Sequence, residues 1–210
     1  MQTIHPENPE FRIAEIFESL QGEGYNTGMS AVFIRLGKCN LACAWCDTDY
    51  LKFGMMRLSD ILSRLQTYAA RNIIITGGEP TIQPHLSVLL DALKAQGYRL
   101  CIETNGLKPA PVQIDYVAAS PKACYAEKYQ QQCIEAADEV RIVADGDVLA
   151  FCAQIEQKIR AAHYYLSPCE IDGQMNIYDT IRQIGLLNAR ADAQVHWQLS
   201  VQTHKWAGIE

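Results

Sequence analysis

Cys39-Asn40-Leu41-Ala42-Cys43-Ala44-Trp45-Cys46-Asp47-Thr48 is the stretch that decides how the chain is read. Three cysteines fall within eight residues, separated by three residues and then by two. A short loop with that spacing can turn three thiolates onto one centre. A mononuclear structural zinc site needs a fourth ligand. A 4Fe–4S cluster can instead be held at three of its irons and keep the last for an outside ligand. The spacing therefore points to an open coordination position. Three reduced cysteines in a plain loop, or part of a zinc site, are the competing readings, and the loop alone leaves them open.

Working outward, residues 31–36 form an apolar run that enters the loop and reads as a buried strand. It carries Arg35, and an arginine there needs a partner. That partner is either an acidic side chain or a ligand carboxylate, which the guanidinium fork matches bidentately. Residues 11–18 alternate loosely as a short first strand and run into Ser19-Leu20-Gln21-Gly22-Glu23-Gly24. Two glycines around a carboxylate let backbone N–H groups approach a ligand closely; the same hexapeptide also suits a plain connecting turn.

Downstream, residues 58–70 read as an amphipathic helix, with Ser59 as its cap and Ile61, Leu62 and Leu65 inward. Residues 72–76 read as a strand ending in Thr76-Gly77-Gly78-Glu79-Pro80, which exposes backbone groups at the sheet's carboxyl edge. A helix over 84–96 places Leu86, Leu89, Leu90 and Leu93 on one face, with Gly97 closing it. Strands follow over 98–103, ending in Glu103-Thr104-Asn105-Gly106, and over 114–118, leading to Ser120-Pro121-Lys122. The chain continues with a strand over 139–143, a helix over 147–160 and a strand over 163–166 that ends in Ser167-Pro168-Cys169-Glu170. A helix over 176–190 and a strand over 195–199 complete the pattern.

Strand, polar loop and helix repeat, which implies a parallel sheet with helices outside. Polar clusters recur after strands and so gather on one face, where barrel-like α/β enzymes place their sites. Too few units are visible for eight. The expected fold class is α/β, a partial, open TIM-like barrel of about six parallel strands with outer helices. Residues 1–210 read as a single domain, without linker or repeat.

The 210 residues suffice for a sizeable core, and 49% hydrophobic with 20% charged residues is an ordinary globular balance. Net charge is −6 and no Lys/Arg run occurs, which favours a small-molecule substrate over direct contact with nucleic acid. No apolar run approaches the roughly 20 residues of a membrane span, and residues 1–10 lack a leader pattern. A cytoplasmic setting is expected, where the eight cysteines stay reduced. Cys101, Cys124, Cys133, Cys152 and Cys169 are scattered and read as small buried hydrophobes. The stretch 124–133 resists assignment.

The cysteine spacing, with aromatic Trp45 before the last cysteine, resembles that of the radical S-adenosylmethionine enzymes. More narrowly, Phe33-Ile34-Arg35-Leu36 through Cys46-Asp47-Thr48, together with Leu20-Gln21-Gly22 and the tail Gln202-Thr203-His204-Lys205, is similar to the 7-carboxy-7-deazaguanine synthase family of queuosine and deazapurine biosynthesis. The likeness runs from Ser19 to Lys205.

The resemblance implies that Cys39, Cys43 and Cys46 hold a 4Fe–4S cluster whose free iron takes S-adenosyl-L-methionine. Trp45, Asp47, Gly78, Glu79, Ser120, Pro121 and Lys122 would bind that cofactor, with Ser167, Pro168, Cys169 and Glu170 near its adenosine. Thr48 would ligate Mg2+, a thin site that needs substrate to hold the ion well. Leu20, Gln21, Gly22, Glu23, Arg35, Thr76, His204 and Glu210 would contact a pterin, with segments 11–24 and 200–210 closing the pocket. The implied reaction is radical ring contraction of 6-carboxy-5,6,7,8-tetrahydropterin to 7-carboxy-7-deazaguanine with loss of ammonia, a carbon–nitrogen lyase step. A flavodoxin-like electron donor and a homodimer are expected, and no nucleic acid or membrane partner. Two alternatives stand beside this: a glycyl-radical-enzyme activase, and a non-enzymatic iron–sulfur or zinc carrier that would not need Gly77-Gly78-Glu79-Pro80.

Overall fold

In the computed structural model, which describes residues 7–46, 48–171 and 173–209, the chain forms eleven strands and six α-helices. In order these are β1 (Glu10–Leu20), β2 (Ser30–Leu36), β3 (Gly54–Arg57), α1 (Leu58–Leu65), β4 (Asn72–Gly77), α2 (Leu86–Ala95), β5 (Arg99–Thr104) and β6 (Tyr116–Ala119). Then come α3 (Ala126–Gln131), β7 (Glu139–Val143), α4 (Leu149–Lys158), β8 (His163–Ser167), β9 (Glu170–Ile171), β10 (Gln174–Met175), α5 (Ile177–Asn188), β11 (Trp197–Leu199) and α6 (Thr203–Ala207).

Nine strands pair in the order β11-β8-β7-β6-β5-β4-β2-β1-β3, so the sheet ends at β11 and β3 and stays open. Every pair from β2 to β11 is parallel, which gives seven parallel strands. The expectation of about six parallel strands in an open barrel therefore holds closely. β1 runs antiparallel to both β2 and β3, an edge the repeat of strand and helix did not announce. β9 and β10 make a separate two-stranded hairpin.

Alternation along the strands sorts side chains onto two faces. The outer face carries Val32, Ile34, Leu36, Ile73, Ile75, Leu100 and Ile102, packed against Ile61 and Leu65 of α1 and the four leucines of α2. A second outer cluster joins Val140, Ile142, Tyr164 and Leu166 to Phe151, Cys152 and Ile155 of α4, Leu187 of α5 and Trp197 of β11. Each fully buried Leu or Ile there contributes about 2 kcal/mol of apolar transfer. The inner face has a smaller apolar floor of Ala31, Phe33, Ile74, Cys101, Tyr116 and Ala118. Two residues beyond Phe33, Ile74 and Cys101 come Arg35, Thr76 and Glu103. Period two thus turns one polar group per strand toward the concave side at the carboxyl ends.

Local differences from the sequence reading have physical causes. α1 ends at Leu65 rather than 70, and its cap is Arg57, which makes no side-chain cap bond. Ser59 lies in the first turn, and its N–H donates to Asn8 Oδ1 at 3.0 Å, so the cap comes from the preceding segment. In the stretch 124–133, a 3-10 turn at Ala123–Tyr125 leads into α3. Only Cys101 and Cys152 of the five scattered cysteines are buried, and Cys124 is exposed. Among the described residues no helix is long and apolar enough to cross a membrane.

Candidate functional site

The cysteine loop leaves β2 and is pinned from four directions. Lys38 N–H donates to Tyr50 O at 2.8 Å, Ala42 N–H to Tyr125 Oη at 3.0 Å, Trp45 Nε1 to Asp145 Oδ2 at 2.7 Å, and Asn105 Nδ2 to Asn40 Oδ1 at 2.7 Å. Cys39, Cys43 and Cys46 all line one cavity of about 750 Å³ at the concave, carboxyl end of the sheet. Leu41 N–H donates to Cys39 Sγ at 3.4 Å. Burial pushes the Cys39 thiol up, and burial, against the pull of Lys122, pushes Cys43 up to about 12. Coordination to a metal reverses that balance, because a coordinating thiol gives up its proton. The donor set fits an iron–sulfur group: three thiols in one loop, one of them already accepting a backbone N–H.

The loop after β4 packs directly on the approach to the cysteines. Gly78 N–H donates to Leu36 O at 2.8 Å and Glu79 N–H to Lys38 O at 2.9 Å. A Cβ on Gly78 would stand 1.9 Å from Lys38 O, and one on Gly77, at φ +117°, 2.2 Å from Leu36 O. Glycine is needed at both positions for this close approach. With those two amides spent inside the fold, Gly77 and Gly78 still line the cavity. Buried Gln83 ties the same strands together through Gly37 O at 2.7 Å and Glu79 O at 3.2 Å.

Glu79 itself is a buried hub. Its carboxylate accepts from Thr81 N–H at 3.0 Å, Thr81 Oγ1 at 2.6 Å, Thr104 Oγ1 at 2.7 Å and Asn105 N–H at 2.7 Å. Glu79→Gln places an amide NH2 among these donors and leaves one unpaired, at a cost of about 2 kcal/mol. The expected fall in Tm is about 4–8 °C for a chain of this size. Calorimetry that finds an unchanged Tm would show the hub to be dispensable.

Across the cavity, Arg141 of β7 is 5% exposed at its side chain and meets three carboxylates. Nη1 lies 2.5 Å from Glu23 Oε2, Nη2 2.6 Å from Glu103 Oε1, and Nε 2.8 Å from Glu139 Oε1. The Nε contact is poorly angled, so that N–H makes no hydrogen bond. Glu103 also accepts from Gln21 Nε2 at 3.0 Å and Thr76 Oγ1 at 2.9 Å. Burial opposes the charge on Glu103, but the Arg141 cation with these hydrogen bonds outweighs it and holds the carboxyl at about 2. Lys122 sits with Nζ 2.8 Å from Ser120 Oγ and 5.0 Å from the Trp45 ring centre, its pKa lowered chiefly by burial.

The tail closes the same space. Thr203 N–H and Oγ1 both donate to Gly22 O, at 3.0 and 2.9 Å, and Ser200 Oγ accepts from Gly24 N–H at 2.9 Å. Gln202, His204, Lys205 and Ile209 join the lining.

The cavity gathers Leu20, Gln21, Gly22, Glu23, Arg35, Trp45, Thr48, Thr76, Gly78, Glu79, Ser120, Lys122 and His204 with the three cysteines. Arg35 finds the acidic partner of its first reading, Nε pairing with Glu15 at 2.8 Å, while Nη1 donates to Thr48 Oγ1 at 3.3 Å in the cavity lining. Pro121, Ser167, Cys169 and Glu170 are not among the lining residues, and Pro168 borders a small neighbouring recess with Gln202 and Lys205. Cys169 still adjoins the site, since its Sγ donates to Ala144 O at 3.5 Å, beside the Asp145 that holds Trp45. Asp47 and Glu210 lie outside the described residues. Among the described residues no three His, Cys, Asp or Glu side chains are grouped so as to hold a metal ion, so the three thiols share the cavity without being drawn onto one point.

Arg141 and Asp145 carry no mark in the sequence reading, and Glu103 enters it only as part of the polar cluster that ends its strand. The signal for Arg141 was present: a lone cation between Val140 and Ile142 must turn to the face opposite them. Its three partners lie 38 or more residues away or on its own strand, and no local pattern pairs them.

The sequence profile of the radical SAM superfamily matches residues 33–124. A 7-carboxy-7-deazaguanine synthase of Neisseria meningitidis serogroup B is 82% identical over 99% of this chain and 98% of its own length. One of Haemophilus influenzae is 58% identical over 100% of this chain and 99% of its own. The crystal structure of QueE from Escherichia coli superposes with a TM-score of 0.68 at 27% identity, covering 92% of this chain and 94% of that one.

Proposed function

The chain belongs to the 7-carboxy-7-deazaguanine synthase family within the radical SAM superfamily, and on that premise we propose how its cavity is used. The substrate is 6-carboxy-5,6,7,8-tetrahydropterin and the product 7-carboxy-7-deazaguanine, with ammonia released. One observation carries the reading: the three-cysteine loop, Arg35 and the Glu103–Gln21–Thr76 group line one cavity. When bound at Cys39, Cys43 and Cys46, a 4Fe–4S cluster with S-adenosyl-L-methionine supplies the radical that takes hydrogen from C6 of the pterin.

The residues divide the remaining work. Arg35 presents its fork to the substrate carboxylate. Glu103 and Glu23, acceptor-only when ionised, suit the N–H edge of the aminopyrimidinone at the other end. Carbonyls of the Gly77–Gly78 turn suit the cofactor's ammonium, and Ser120 and Lys122 its carboxylate. Trp45, fixed by Asp145, offers a flat apolar face, and in this reading Ser167 to Glu170 serve the adenosine. The tail, held on Gly22, keeps bulk water from the reacting atoms. A flavodoxin-like protein would deliver the electron, and a homodimer is the expected assembly.

Anaerobic reconstitution followed by mass spectrometry tests this. Conversion of the tetrahydropterin with no protein substrate present supports it; cofactor cleavage without pterin conversion would return the glycyl-radical-activase reading.

Thr48 gives the cavity one hard oxygen, and magnesium takes few protein ligands and keeps its waters. That fits an ion completed by the substrate's carboxylate, with the Arg35 contact shared or displaced. Thr48→Val should lose the magnesium response of turnover, about tenfold, whereas Thr48→Ser retains most of it, and both keep the cluster. Turnover against magnesium in chelator-treated buffer reads the effect. Identical curves for Thr48→Val and the parent would remove Thr48 from the metal site.

A further inference from the structure

Arg141 has more anionic partners than its own charge requires. Glu23 follows β1, Glu103 ends the run of β5 side chains on the inner face, and Glu139 opens β7, so three segments converge on one guanidinium. Three carboxylates against one cation leave two formal negative charges in excess on this wall. Glu139 is spent within the chain, accepting from Tyr25 N–H at 2.8 Å and Tyr116 Oη at 3.0 Å. Glu23 and Glu103 instead line the cavity.

We propose that Arg141 is a positioning residue of the pterin site, whose fork holds Glu103 and Glu23 side by side as charged acceptors for the N–H edge of the aminopyrimidinone ring. This rests on the pterin reading of the cavity given above. A carboxylate can only accept, whereas a protonated carboxyl turns an O–H toward the ring's own N–H donors. Burial and mutual repulsion both favour a proton among clustered carboxylates. At Glu103 the Arg141 cation does most to keep that proton out, with the Gln21 and Thr76 hydrogen bonds assisting. It also fixes direction: its two terminal nitrogens reach different carboxylates, which a single point charge cannot match.

The other groups facing this wall leave that role to Arg141. Lys122 feels the charges of Glu23 and Arg141, but it bonds to Ser120 and lies against Trp45, and it is present in every protein compared. Tyr116 and Tyr165 are pushed up, first by burial and then by Glu139, and stay neutral. Burial likewise raises the Cys101 thiol, to about 11. His204 and Lys205 line the same cavity and are present in every protein compared, so the informative quantity is the difference between profiles.

The test measures equilibrium binding of 6-carboxypterin, an oxidised and fluorescent probe, to the anaerobic holoenzyme with S-adenosyl-L-methionine between about pH 6 and 9. Arg141→Gln should raise Kd about 30-fold at the acid end, the scale of one lost charge-assisted hydrogen bond. Its affinity should recover toward the parent's as pH rises and the intruding proton leaves. Arg141→Lys, which keeps the charge but not the fork, should weaken binding about fivefold with a profile parallel to the parent's. A loss in Arg141→Gln that is equal at every pH marks a merely structural role and overturns the proposal; so does parent-like binding by Arg141→Lys, the variant that carries the test if Arg141→Gln does not fold. Glu103→Gln separates the two layers of inference. If it binds the probe like the parent, the reading of Glu103 as a pterin acceptor is what fails. If it loses about tenfold or more while Arg141→Gln stays parallel to the parent, the positioning role fails alone.

Discussion

Cys43→Ala is expected to lose the visible absorbance of the cluster, its iron and all reductive cleavage of S-adenosylmethionine, while the chain stays folded. Cys43 is only half-buried and belongs to none of the core clusters, so removing its sulfur opens no core cavity. The loop around it keeps its anchors, because these run through Ala42 N–H, Trp45, Lys38 N–H and Asn40 rather than through the thiol. Two cysteines cannot hold three irons. One complication is local: Cys124, on the turn before α3, stands close enough to raise the Cys43 pKa by charge and hydrogen bonding. Cys43→Ala is therefore compared with Cys43→Ala/Cys124→Ala. A cluster that survives in the single variant and vanishes in the double would show Cys124 standing in as ligand. A fully loaded, active Cys43→Ala/Cys124→Ala protein would overturn the assignment of the loop.

The parts of the molecule legible in the sequence are those set by short-range rules. The cysteine spacing, the leucine face of α2 and the glycine at φ +79° after it are local patterns with local causes. Parallel strands read as apolar runs because helices cover one face and a small apolar floor the other. β3 is four residues long and its burial pattern is mostly exposed, so it carries no such run. It forms because Glu10–Ile13 pair with it across the chain. The same limit applies within the site. The resemblance implies Glu79 as a cofactor contact, while the fold shows its carboxylate accepting from Thr81, Thr104 and Asn105. Only the sheet order, which sets β4 beside β5, brings Thr104 within reach. Arg141, Glu23 and Glu103 depend in the same way on which strands are neighbours.

Gly22→Ala is expected to lower kcat/KM about 100-fold, the scale of a roughly 1 Å misplacement in a preorganised site. The added Cβ would lie 1.9 Å from His204 Nδ1, 2.7 Å from its Cγ and 3.0 Å from its Cβ. Contact with the root of the ring as well as its edge means that a rotamer change cannot relieve it, and α6 itself must move. Gly22 O cannot follow without releasing Thr203 N–H and Oγ1, the two bonds that seat the tail. The residues displaced, Gln202, His204, Lys205 and Ile209, form part of the cavity lining. The cluster loop shares none of these contacts, so cluster content and reductive cofactor cleavage without pterin should match the parent's. Tm should move little, because α6 has five residues, none of them buried. The His204→Ala background isolates the cause. If the clash is what matters, adding Gly22→Ala to His204→Ala costs almost nothing further, since the atoms it would strike are mostly gone. Full additivity of the two substitutions, or a parent-like kcat/KM for Gly22→Ala, would mean that the tail does not close the site by seating on Gly22.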